Sequence, residues 1–181
     1  MSTNEAEWLL AAQNGSEEAF ATLIDMYQTP VYNLCYRMLG NAEDAEDAAQ
    51  ETFWRAYQAI NRYDTNRSFI TWLLSIAAHY CIDQQRRRRL PVLDLDVLPE
   101  EDVPDVVAAS PESEFGKLEY SREVEKMLSK LNPQDRAAIV LRYWYDFSEE
   151  EISQSLSISV SAVKSRLFRA RRQLAEIWQV A

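Results

Sequence analysis

Residues 148–174, SEEEISQSLSISVSAVKSRLFRARRQL, hold two apolar stripes at helical spacing with only three residues between them. A chain built this way folds two helices back on each other across a tight turn. Ser148 is a natural N-cap, Glu149, Glu150 and Glu151 stand where negative charge suits the first helical turn, and Ile152 and Leu156 form an i, i+4 apolar pair. The first helix is expected to end near Leu156. Ser157, Ile158 and Ser159 make the turn, without the Gly often found there, and Ser159 caps the second helix. Val160, Val163, Leu167, Ala170 and Leu174 are its buried stripe. Off that stripe lie Ser161, Ala162, Lys164, Ser165, Arg166, Phe168, Arg169 and Arg172. Hydroxyl, guanidinium and aromatic groups around one apolar seam suit a helix-turn-helix whose second helix enters a DNA major groove.

A formal charge of −10 is at odds with DNA binding until its distribution is considered. Residues 1–58 carry ten acidic and two basic groups, 59–90 two and six, 91–130 eleven and four, and 131–181 six and seven. Five basic groups and no acid fall within 163–172. Two basic patches on an acidic body fit nucleic acid at two places and a basic partner for the acidic face. No run of about 18 uncharged apolar residues offers a membrane span, and the acidic N-terminus lacks the basic start of a secretion leader, so a cytoplasmic location is expected. Cys35 and Cys81 lack CxxC spacing, and the single histidine, His79, completes no zinc set. Two reduced core thiols, no metal and no cofactor are expected. Three glycines supply no phosphate-cradling loop, and no nucleophile motif is present, which disfavours an enzyme.

In chain order, Glu5 to Gln13 reads as a helix stopped by Asn14 and Gly15, and Ser16 caps the next. Phe20, Leu23, Ile24, Tyr27, Val31, Leu34, Cys35 and Met38 share its core face, with a kink or break expected near Pro30. Gly40 ends that helix. A third, from about Ala42 to Gln58, buries Ala45, Ala49, Thr52, Phe53 and Ala56 and presents Asp44, Asp47, Gln50, Glu51 and Trp54. An aromatic ringed by polar groups suits a basic helical partner. After the polar loop Arg62 to Asn66, a helix opened by Ser68 buries Phe69, Trp72, Leu73, Ile76 and Ala77 and finishes in four arginines; basic charge beside aromatics suits single-stranded DNA. Residues 91–110 combine prolines with carboxylates and read as an extended acidic linker. Pro111 then starts a helix to about Leu131, and Asn132 and Pro133 open another through Ala137, Ile139, Val140, Leu141 and Tyr143. The expected architecture is all-α: two small helical domains, 1–90 and 111–181, joined by a flexible acidic linker.

Three passages, NAEDAEDAAQETFWRAY (41–57), SFITWLLSIAAHYCIDQQRRRR (68–89) and LNPQDRAAIVLRYWYDFSEEEISQSLSISVSAVKSRLFRARRQL (131–174), occur in an order that resembles bacterial sigma factors of the extracytoplasmic-function type, group IV of the sigma-70 family. The resemblance implies a sigma-2-like and a sigma-4-like domain, and a transcription initiation factor without catalytic residues. Asp47, Gln50 and Glu51 match the family's DxxQE pattern and, with Trp54, would bind the clamp helices of the largest subunit of core RNA polymerase; the flap is a further implied contact. Tyr63, Asn66, Arg67 and Ser68, with His79, Asp83 and Arg86, would capture the melted −10 strand, His79 standing where the family frequently has Asn. Lys164, Ser165, Arg166, Phe168 and Arg169 would read the −35 duplex, with Arg171 and Arg172 on phosphates. Promoter DNA and an anti-sigma factor are the other implied partners. A stand-alone helix-turn-helix regulator, dimeric on a palindrome, is the rival reading.

Overall fold

The computed structural model describes residues 3–89 and 123–180, and its long elements there are all helices. They are α1 (Thr3–Gln13), α2 (Glu17–Leu39), α3 (Ala42–Ala59), a 3-10 turn (Ile60–Arg62), α4 (Phe69–Arg89), α5 over 123–129, α6 (Pro133–Trp144), α7 (Glu149–Leu156) and α8 (Val160–Val180). The expected linker, and the expected start of a helix at Pro111, lie outside the described residues.

Short polar residues set the boundaries. Ser16 accepts from the Ala19 amide, Asn41 from Asp44 and Asn132 from Asp135, while Gly40 ends α2 at φ 87, a conformation that a Cβ would strain. Ser148 and Glu151 cap each other's backbone in a reciprocal box. The turn that lacks Gly is made by Ser157 itself, in the left-handed conformation at φ 55, and the Ser153 hydroxyl donates to the Ile158 carbonyl at 2.5 Å across it. No break occurs at Pro30: α2 runs through it as one helix of 23 residues. Packing on α1, α3 and α4 outweighs the single lost ladder bond.

α2 is the hub of the first half. Val31, Leu34, Cys35 and Met38 are fully enclosed, each large apolar side chain contributing roughly 1.5–3 kcal/mol by leaving water. Both cysteines are free and buried. α4 departs from expectation. Besides the row Phe69, Leu73, Ala77 and Cys81, it buries a second row at i+4 spacing, Leu74, Ala78 and Ile82. α6 and α7 pack on α4 in addition to α2 and α3, so the helix is covered from two sides. Tyr143 is 54% exposed near the C-terminal end of α6.

A polar seam closes the contact between the halves. Arg136, 4% exposed, donates from Nε to the Arg37 carbonyl at 2.5 Å and reaches Glu125 at 3.5 Å. Arg37 pairs with Glu125 at 3.2 Å and lies 4.4 Å from the centre of the Trp144 ring. The Tyr145 hydroxyl donates to the Pro30 carbonyl at 2.6 Å, while within the first half the Gln85 amide ties α4 to the Met38 carbonyl of α2. Burial pushes the Glu125 carboxyl above its ordinary range, opposed by Arg136 and Arg37. Ser148→Ala, which removes one arm of the α7 capping box, should cost about 1 kcal/mol, read as a lower midpoint in urea at unchanged slope.

Candidate functional site

On α3 the inward row Ala45, Ala48, Thr52, Phe53 and Ala56 leaves Asp47 and Gln50 exposed and Glu51 half-buried. Glu51 accepts from Arg55 at 2.7 Å. Trp54 is 56% exposed and stacks on Tyr57 with ring centres 6.3 Å apart. Phe20, Ile24, Phe53, Trp54 and Tyr57 line a shallow groove of ≈490 Å³ between α2 and α3, and a second groove continues past Gln50 to Glu46 and Tyr32. An apolar floor with carboxylates on its rim is the chemistry that takes a basic amphipathic helix.

The loop before α4 is built around Tyr63. Its ring, only 4% exposed, packs on Phe69 at 5.4 Å and Trp72 at 5.0 Å, and its hydroxyl donates to the Arg67 carbonyl. Burial, then the Glu5 and Asp64 charges, push that hydroxyl up to about 12. In this conformation Tyr63 therefore shapes the loop from below, while Asn66, Arg67 and Ser68 are exposed above it. Asp64 accepts from both the Asn66 backbone and side-chain amides at 3.0 and 2.9 Å, which fixes the bend. Those hydrogen bonds, with Arg67 adding, hold the Asp64 carboxyl below its ordinary range. On α4, His79, Asp83 and Arg86 are exposed; His79 Nδ1 lies 2.8 Å from the Ser75 carbonyl, and Arg86 is 4.0 Å from Asp83. Arg88 pairs with Asp44 at the start of α3.

In the helix-turn-helix, Val163, Leu167 and Ala170 are buried, and Lys164, Ser165, Phe168, Arg169, Arg171 and Arg172 are exposed. Phe168 is the barest of these aromatics at 63%. Lys164 pairs with Glu149 at 3.5 Å, and Arg172 with Glu176 at 3.0 Å. The Arg171 Nε donates to the Leu167 carbonyl at 3.1 Å. Arg166 differs from its neighbours: its side chain is 20% exposed and its Nη1 lies 2.9 Å from Asp135, so its guanidinium points into the protein rather than outward. Asp135 is the residue that sequence reasoning missed. Its only signal was a carboxylate in the first turn of α6, where helix polarity already accounts for it.

The surfaces thus gather on one body: the acidic groove on α2 and α3, the polar loop before α4, and α8, with α7 lying against α4. Among the described residues no cluster of His, Cys, Asp or Glu could hold a metal ion, and no helix is long and apolar enough to cross a membrane.

Residues 23–90 match the family described as sigma-70 region 2, and residues 121–174 match sigma-70, region 4. The ECF RNA polymerase sigma factor SigW of Bacillus subtilis (strain 168) is 40% identical over 168 residues, 90% of each chain. The ECF RNA polymerase sigma factor SigE of Mycolicibacterium smegmatis is 35% identical over 85% of this chain and 59% of its own. Among solved structures, CnrH in complex with the cytosolic domain of CnrY is similar at a TM-score of 0.72 and 25% identity, covering 98% of this chain and 99% of that one. The sigma factor RpoE in complex with the anti-sigma factor NepR from Bartonella quintana gives 0.71 at 26%, with 89% and 97% covered.

The Arg88 hydrogen bond is the largest influence holding the Asp44 carboxyl below its ordinary range. Stability from this pair is present above the ordinary carboxylate range and lost as pH falls through the lowered folded value. Arg88→Gln should raise the Asp44 pKa in an NMR titration and flatten the acid limb of stability between those two values.

Proposed function

Because the chain belongs to the extracytoplasmic-function sigma factors of the sigma-70 family, we propose that it binds core RNA polymerase and directs initiation at promoters that carry its −10 and −35 elements. The observation that carries this reading is the pairing, on one chain, of an aromatic groove rimmed by carboxylates with a helix-turn-helix on which Ser165, Phe168 and Arg169 are exposed. Asp47, Gln50, Glu51 and Trp54 contact the polymerase clamp helices, and the groove between α5 and α8, lined by Met127, Ile177 and Trp178, receives the flap. The chain adds no catalytic group. Its reaction partner is the polymerase, which supplies the chemistry, and its place of action is the cytoplasm.

Strand capture falls to the loop before α4. Asn66, Arg67 and Ser68 line the entrance with His79, Asp83 and Arg86 alongside, and Tyr63 supports the loop rather than stacking on a base. An unstacked base costs a few kcal/mol, offset by stacking and edge hydrogen bonds in the loop. Ser165, Phe168 and Arg169 read base edges in the −35 duplex, and Lys164, Arg171 and Arg172 neutralise phosphates.

The two elements lie roughly 25 base pairs apart, about 85 Å of duplex at ~3.4 Å per base pair, whereas a folded chain of this length has a radius of gyration near ~16 Å. A conformation in which α7 rests on α4 therefore reads one element at a time. Promoter recognition requires the halves to separate on the polymerase, the 33 residues from 90 to 122 reaching up to about 110 Å when extended. The likeness of the packed arrangement to the CnrH and RpoE complexes supports an anti-sigma factor that favours this closed form.

Three outcomes test the reading. Core polymerase reconstituted with this protein should give promoter-dependent transcripts from genomic template; their absence, with nanomolar binding of the free protein to a palindromic duplex, would instead identify a stand-alone regulator. Trp54→Ala should weaken core binding by roughly 30-fold, as loss of a central aromatic anchor does, without altering helicity. Arg169→Ala should abolish −35 dependence in run-off transcription while core binding is unchanged.

A further inference from the structure

Taking α8 as the −35 reading helix, as proposed above, the inward-facing side of that helix carries a second layer of control. Asp135 is 2% exposed at the start of α6. Its carboxylate is locked in place: Asn132 Oδ1 accepts from the Asp135 amide at 2.9 Å, and Asn132 Nδ2 donates to Asp135 Oδ2 at 2.6 Å. The other oxygen, Oδ1, accepts from Arg166 Nη1 at 2.9 Å and lies 3.5 Å from Arg169 Nη2. Arg166 and Arg169 are one helical turn apart and so share a face of α8. Asp135 therefore holds two guanidinium groups of the reading helix from a different helix.

The two arginines are held unequally. Arg166 is largely enclosed, and its buried Nε finds no hydrogen-bond partner in the structure. Arg169 keeps 56% of its side chain in solvent, so one edge of its planar fork rests near Asp135 while the rest is free. A guanidinium carries five N–H donors, enough to keep a carboxylate on one edge and grip a guanine O6 and N7 with another. The carboxylate also offsets part of the cationic charge that attracts any phosphate.

We propose that Asp135 is a specificity-positioning residue: it anchors Arg166 and aims Arg169 at the base edges that Arg169 reads. Asp135 does not itself touch DNA. A purely structural carboxylate would set stability and overall activity. A positioning one sets the ratio between promoters.

The test measures holoenzyme transcription from a promoter panel that differs by single −35 base pairs, with thermal unfolding followed for each variant. Asp135→Asn should cut the ratio between the best and the substituted −35 elements by roughly tenfold, the size of one lost bidentate preference. In an Arg169→Ala background the same change should leave the ratio where Arg169→Ala alone puts it. Asp135→Glu keeps the charge and moves the carboxylate by one methylene, so it should fold even where Asp135→Asn does not, and lower the ratio by a smaller, still Arg169-dependent factor. Equal loss from all promoters, a ratio unchanged in both variants, or a change that persists without Arg169 would overturn the proposal. Absence of any promoter-dependent transcript with the unsubstituted protein would instead overturn the reading of the chain as a promoter-recognition factor, and this proposal with it.

Discussion

A guanidinium is always charged and tolerates burial only when its donors are met, and Arg136 is buried to within 4%. It meets that requirement by reaching out of its own half of the chain to the Arg37 carbonyl near the end of α2, where the negative pole of the helix favours a cation, and within its own half to Glu125 on α5. Arg37, Glu125, Trp144 and Tyr145 are ordered around that one contact. α6 packs on α2 and α4, and α7 on α4, so the Arg136 charge is met at the contact that sets α6 and α7 against the first half of the chain. Such a seam is selective rather than strong. Breaking it cleanly returns every polar group to water, whereas breaking half of it leaves a charge stranded.

Polar seams and apolar grooves divide the work. The α2 and α3 groove keeps Trp54 and Tyr57 in solvent, where they cost little because Asp47, Glu46 and Gln50 keep the rim hydrated. On α4 the opposite choice is made, and Leu74, Ala78 and Ile82 are covered by the second half of the chain. One surface is left open for a partner, and the other is closed by the protein itself.

What could be read from residues alone follows the range of the forces involved. Caps at Ser16, Asn41, Asn132 and Ser148, the stop at Gly40 and the core rows of α2 and α3 depend on neighbours within a turn or two, and local pattern reveals them. The second buried row of α4 was illegible because its cover comes from α6 and α7, more than fifty residues further on. The break that Pro30 suggested is absent for the same reason, since a local penalty was overruled by packing on three sides. At the site, exposure of Asp47, Gln50 and Phe168 followed from their places opposite the buried rows. Arg166 did not: five basic residues in ten look alike as letters, and only the position of Asp135 on another helix separates the one that faces inward.

Cys35 and Cys81 lie beside the seam, each fully enclosed; the neighbouring Cys35 and burial hold the Cys81 thiol well above its ordinary range. Arg136, from the other half of the chain, is close enough for its charge to lower the Cys81 thiol somewhat against those two effects. The separation proposed for promoter binding would take the Arg136 charge away from the pair. A thiol that reacts only in the open form is alkylated at its intrinsic rate multiplied by the fraction of time spent open. Were the proposed separation of the halves to uncover these thiols, their alkylation in the unlabelled, unsubstituted molecule would time it.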